Sequence, residues 1–182
     1  LSRFRKLTEE VVFTGTLVTA TRSTFADPSG GEFERDVVHH PGAVVVVPVL
    51  DDGRVLMVRQ FRAAIAGDLL ELPAGKRDVD GEPVETTAHR ELAEEVGMQA
   101  ARMELVAEFY NSPGFCDEHS FLFLARDLRE CPTSAQGIEE EHMTVEKLDL
   151  ADVPAMIADR RLVDAKSIIG LLLAREALGG SR

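Results

Sequence analysis

The sequence predicts an α+β fold with a mixed sheet, and three observations lead there. Short β-branched runs at 44–50, 54–61, 120–126 and 144–148 have the length and composition of strands, and several form antiparallel pairs. Three stretches, 83–96, 153–159 and 164–178, carry helical periodicity. Strands and helices alternate irregularly, which suits α+β or an α/β/α sandwich. With 182 residues the chain can bury a full core without staples. We expect an N-terminal β region over 1–40 and one main domain over 41–182.

Taken in order, residues 11–21 mix β-branched and polar side chains and predict one strand. Asp27-Pro28-Ser29-Gly30-Gly31 is a turn, and 32–40 returns as the second arm of an opening β-hairpin. The apolar run 44–50 predicts a buried strand, Asp51-Asp52-Gly53 a tight turn, and 54–61 its antiparallel partner. Residues 69–72 form a short extended piece before Pro73. Pro83 suits the first turn of the helix 83–96, and Gly97 is a natural stop. Strands 103–110 and 120–126 flank the loop 111–119. The strand 144–148 follows the acidic loop Glu139-Glu140-Glu141, and two amphipathic helices close the chain.

Composition narrows the function. A net charge of −12 repels nucleic-acid phosphates and anionic membranes, so neither is expected as a partner. The apolar run 43–50 is too short to span a bilayer, and the first six residues lack an apolar secretory core. Two cysteines, Cys116 and Cys131, give no disulfide framework and no zinc spacing, and a cytoplasmic location is expected.

The chemistry concentrates in Arg90-Glu91-Leu92-Ala93-Glu94-Glu95-Val96-Gly97. Acids at 91, 94 and 95 share one helix face, where their repulsion calls for a positive partner. A hard divalent cation with oxygen ligands would provide it. Such strings are common on solvated helices. With Glu82 eight positions before Arg90 and Gly75 ahead of both, the pattern is far rarer, and it resembles the Nudix box of hydrolases that cleave nucleoside diphosphates linked to another group. It departs from the family at its front, with six residues between Gly75 and Glu82 where five are usual.

The resemblance implies a Nudix-type α/β/α sandwich and a site holding Mg²⁺ or Mn²⁺. Glu91, Glu94, Glu95 and the main-chain carbonyl of Ala74 would be the ligands, with Glu94 also in the catalytic group. Gly75 would free the backbone for that carbonyl, Glu82 and Arg90 would brace the loop, and Gly97 would end the helix. The Ser112-Pro113-Gly114-Phe115-Cys116-Asp117-Glu118 loop, with Pro113 sixteen positions past Gly97, is similar to the ADP-ribose pyrophosphatase branch, as are Glu71-Leu72-Pro73-Ala74-Gly75 and Val58-Arg59-Gln60-Phe61-Arg62. By that likeness Arg62 would contact the diphosphate, Glu118 the ribose side and Arg35 the nucleoside end, with Gly114 also at the substrate. Glu140, with Glu139 next, would be the general base. The branch also implies a homodimer formed through the N-terminal hairpin and a small nucleotide sugar as substrate. The expected reaction splits ADP-ribose into AMP and ribose 5-phosphate. A GDP-hexose is the near alternative, and a non-catalytic ADP-ribose-binding regulator the remote one.

Overall fold

A computed structural model describes residues 3–133, 138 and 142–179. The chain divides into two compact units, one of Leu1–Gly42 with Phe109–Ser120, the other of Ala43–Glu108 with Phe121–Arg182.

The first unit is an antiparallel meander of β1 (Arg5–Thr14), β2 (Thr19–Ala26) and β3 (Glu32–His39). The single strand expected over 11–21 is two strands. The chain reverses at Gly15, whose N–H donates to the Val18 carbonyl at 2.8 Å. β-branched residues continue on both sides of this turn, so only one glycine marks it. The turn after β2 is set by Asp27, whose carboxylate accepts the N–H groups of Ser29 and Gly31 at 2.6 and 2.9 Å. The loop 111–118 is tied to β3: Val38 N–H donates to the Phe115 carbonyl, and Asp117 N–H to the Val38 carbonyl. Asp117 also accepts from His40 N–H at 2.8 Å and lies 2.6 Å from His39 Nδ1. Burial works against the charged form of Asp117, but His39 and the His40 amide outweigh it and hold the carboxyl below its usual range.

The second unit holds two sheets. In one the order is β7 (Ala74–Lys76), β4 (Ala43–Pro48), β9 (His119–Glu130), β8 (Met98–Tyr110). In the other it is β10 (Thr144–Leu148), β5 (Val55–Arg62), β6 (Gly67–Glu71). The expected β4–β5 hairpin is therefore corrected. The turn at Asp51-Asp52-Gly53 exists, with Leu50 N–H donating to the Arg54 carbonyl, but among the described residues only the bridge Val49–Val55 joins the strands. Beyond it β4 pairs with β7, and β5 with β6 and β10. Every residue of β4 is buried, as a strand covered on both faces requires.

The covers are two helices, α1 (Val84–Val96) and α3 (Ala165–Gly179), with the short α2 (Val153–Ala158) beside α3. Val44 and Val46 pack with Ala88, Leu92 and Val96 of α1. Val47 points to the other face, where Gly170 of α3 comes so close that a Cβ would press on Leu72, Leu122 and Val47. This unit is thus the α/β/α sandwich of the α+β class that the sequence predicts.

Asp164 precedes α3 and caps it, its Oδ2 accepting Ser167 N–H at 2.9 Å and the Ser167 hydroxyl at 2.7 Å. Burial works to raise its pKa, yet Lys166, 2.7 Å away, and Ser167 win and hold it below the usual range. A depressed carboxyl contributes stability that is present above its unfolded pKa and is lost as pH falls through the folded one. The thermal stability of the wild type should therefore fall below about pH 5. Asp164→Asn keeps the cap acceptor but removes the charge paired with Lys166, and is expected to cost about 1–2 kcal/mol at pH 7 and to flatten that acid-side slope. An unchanged slope would remove Asp164 from this role.

Candidate active site

The buried stripe of α1 runs through Thr87 and Ala88, Glu91 and Leu92, Glu95 and Val96, four residues per step. The helix therefore carries two acids at its buried edge, Glu91 7% and Glu95 6% exposed. Glu95 Oε2 accepts the Ala74 N–H at 3.0 Å, which ties the end of the helix to β7. Glu91 lies against Gly75, where a Cβ would overlap its carboxyl group. The sequence reading attributes Gly75 to backbone freedom. The structure adds a second reason: the missing side chain is the space that Glu91 occupies.

Arg90 sits among the acids. Its Nη1 donates to Glu91 Oε1 at 2.8 Å and Glu94 Oε2 at 3.0 Å, while Nη2 reaches Glu82 at 3.4 Å and lies 3.8 Å from Asp78. Burial works to lower the Arg90 pKa, but Glu91, Glu82 and Glu94 together hold it above its ordinary value. Glu82 also accepts the Thr87 hydroxyl at 2.7 Å, the main cause of its lowered pKa, and so closes the start of α1, where Pro83 has no side-chain cap of its own. Gly97 ends the helix with φ 65°, its N–H bonded to Ala93 and Leu92 carbonyls.

A guanidinium thus supplies part of the positive charge that the acidic string demands. Among the described residues no three His, Cys, Asp or Glu side chains converge as a ready metal cluster. The donor set nevertheless fits a hard cation. The acids are carboxylates without thiol or imidazole, two are buried beside a backbone segment, and Gly75 leaves room for one of them. Local energetics point the same way. Glu94 and Glu95 lie in the last turn of α1, where the helix dipole disfavours acids, and no basic residue is there. Such a broken local rule is expected at a functional site.

The other predicted residues fall into two groups. In the second unit, Arg62 Nε donates to the buried Glu71 at 2.7 Å. In the first unit, Arg35 and Gly114 line a cavity of about 390 Å³ with Phe25, Phe33 and Tyr110. The Arg35 guanidinium lies 4.7 Å over the Phe33 ring, and Phe25 stacks on Phe33. Glu118 is half-buried and does not line this cavity; Asp117 does. Glu139 and Glu140 lie outside the described residues. Sequence reasoning missed Glu71, the cavity's aromatics and the His39–Asp117 pair, whose members are 78 positions apart and leave no local signal.

Comparison with known proteins agrees with the box. The family model described as NUDIX domain matches residues 38–168. The ADP-ribose pyrophosphatase of Bacillus subtilis (strain 168) is 36% identical over 176 residues, covering 96% of this chain and 95% of that protein. The ADP-ribose pyrophosphatase of Mycobacterium tuberculosis (strain ATCC 25618 / H37Rv) is also 36% identical, over 97% of this chain and 86% of its own length. A crystal structure of an ADP compounds hydrolase superposes with a TM-score of 0.84 at 26% identity, covering 99% of this chain and 96% of that one. The chain therefore belongs to the Nudix domain family and is an enzyme.

Proposed function

We propose that this enzyme hydrolyses the diphosphate of ADP-ribose, giving AMP and ribose 5-phosphate, with Mg²⁺ or Mn²⁺ as cofactor. The observation that carries the reading is the buried pair Glu91 and Glu95, set against Ala74–Gly75 with Arg90 bonded to Glu91. Glu91, Glu94, Glu95 and the Ala74 carbonyl would hold the cation, which when bound offsets phosphate charge and lowers the pKa of water. Arg62 presents a guanidinium fork suited to phosphate oxygens. The cavity of Arg35, Phe33 and Gly114 offers stacking surfaces and a cation of the kind a nucleobase takes, and Glu118 stands at the end of the same loop. Glu140 is the proposed base that takes the proton from the attacking water, with Glu139 as its neighbour.

The names of the relatives support the substrate. A homodimer through residues 1–40 is part of the same reading. It is supported by β1, exposed along its whole length, with Val11, Val12 and Phe13 each more than half exposed. A cytoplasmic setting accords with two free cysteines, and among the described residues no helix is long and apolar enough to cross a membrane.

The test is a substrate panel with Mg²⁺. ADP-ribose is expected to release AMP at a rate well above that for GDP-mannose, and Glu140→Gln to lose most of that rate. Faster turnover of the GDP-sugar would move the substrate to the alternative class, and a fully active Glu140→Gln would move the base elsewhere.

A further inference from the structure

A second buried ion cluster surrounds Glu71 at the end of β6. Glu71 is 1% exposed, and each of its carboxylate oxygens faces a cation. Oε2 accepts from Arg62 Nε at 2.7 Å, and Oε1 lies 3.5 Å from Lys166 Nζ. Lys166 in turn pairs with Asp164 at 2.7 Å, whose other oxygen caps α3 through Ser167. The Ser167 hydroxyl accepts the Leu72 N–H at 2.7 Å, so the cluster also holds the backbone just after Glu71. Two acids and two bases make a neutral set, as burial of ions requires.

Its members differ in exposure. Glu71, Asp164 and Lys166 side chains are 2%, 9% and 18% exposed, whereas that of Arg62 is 39% exposed. One end of Arg62 is therefore anchored inside and the other reaches solvent. Among the described residues Glu71 is the one ion-pair partner of Arg62. The flanking Leu70 and Leu72 are buried apolar side chains, and an apolar residue at 71 would be the cheaper way to fill the position.

We propose that Glu71 is a positioning residue for diphosphate recognition. By taking Nε of Arg62 it fixes the guanidinium plane and leaves both Nη groups to fork onto phosphate oxygens. Lys166 and Asp164 hold that carboxylate in place from the α3 side. The assignment rests on the reading of Arg62 as the phosphate contact, and it adds the group that sets Arg62 for that task. Anchoring removes side-chain freedom that binding would otherwise have to remove.

The experiment is a double-mutant cycle on the full chain, read as the affinity for inorganic diphosphate with Mg²⁺ by calorimetry. Arg62→Ala and Glu71→Gln are each expected to weaken binding about tenfold. In the double variant the Glu71 substitution should add nothing to the loss from Arg62→Ala. Unchanged affinity in Glu71→Gln, fully additive losses, or a wild type that does not bind diphosphate would each overturn the proposal. If Glu71→Gln does not fold, Glu71→Asp keeps the charge and shortens the reach by one methylene, and the same loss with the same dependence on Arg62 is expected. AMP release from ADP-ribose by the wild type, measured in parallel, reports separately on the substrate. Diphosphate binding without that turnover would remove the ADP-ribose reading and leave the role of Glu71 to be decided by the cycle.

Discussion

Gly75→Ala should lower ADP-ribose turnover by about a hundredfold or more, because it evicts a carboxylate rather than straining a turn. A Cβ at 75 would overlap the Glu91 carboxyl carbon and both its oxygens. A side-chain end can usually swing away, but this one is 7% exposed and held by Arg90 at 2.8 Å. Moving it breaks that ion pair and leaves Arg90 with fewer partners, so a loss of about 1–3 kcal/mol in stability should accompany the loss of activity. Gly67→Ala is the control, since a Cβ there meets only the Ile65 carbonyl at 3.8 Å, an ordinary contact. Steady-state kinetics and thermal denaturation of both variants decide the matter. A normal rate in Gly75→Ala would place Glu91 outside the reaction centre.

The elements that carry the box were legible because their signals are local. Helical period, Pro83 at the start and Gly97 in the left-handed conformation at the end all lie within fifteen residues and agree with one another. The strand 144–148 and the turn at Asp27 were legible for the same reason. Pairing was not. Asp51-Asp52-Gly53 is a good hairpin turn by composition, yet the partners that β4 and β5 take lie elsewhere in the chain, and no residue near the turn reports them.

The site divides along the same line. The acids of α1 could be placed on one face from their spacing, but their counter-charge could not. Spacing alone called for a metal, whereas the folded chain already sets Arg90 against Glu82, Glu91 and Glu94. Glu71 shows the limit most clearly. In the sequence it is one letter of a lead-in to the box. Its meaning comes from Lys166, 95 positions later, and from Arg62 on the neighbouring strand. Long-range ion pairs of this kind depend on the fold being known first.

Glu95→Gln separates a metal-binding acid from a structural one by sign as well as size. Glutamine keeps the length of the side chain and an oxygen to accept the Ala74 N–H, now bonded at 3.0 Å, so the link between α1 and β7 survives. Only the charge is lost. That charge lies in the last turn of α1, where the helix dipole disfavours an acid. The metal-free variant is therefore expected to be as stable as the wild type or a few tenths of a kcal/mol more stable. With Mg²⁺ present, turnover should fall by about 10²- to 10³-fold, and the stabilisation that Mg²⁺ gives the wild type should shrink. Glu85→Gln provides the contrast, since Glu85 lies in the first turn, where the dipole favours an acid: a slight loss of stability with full activity is expected. Thermal denaturation with and without Mg²⁺, beside the rates, reads each of these effects. If Glu95→Gln destabilises the metal-free protein while leaving the rate intact, Glu95 is a brace for β7 and the cation belongs elsewhere.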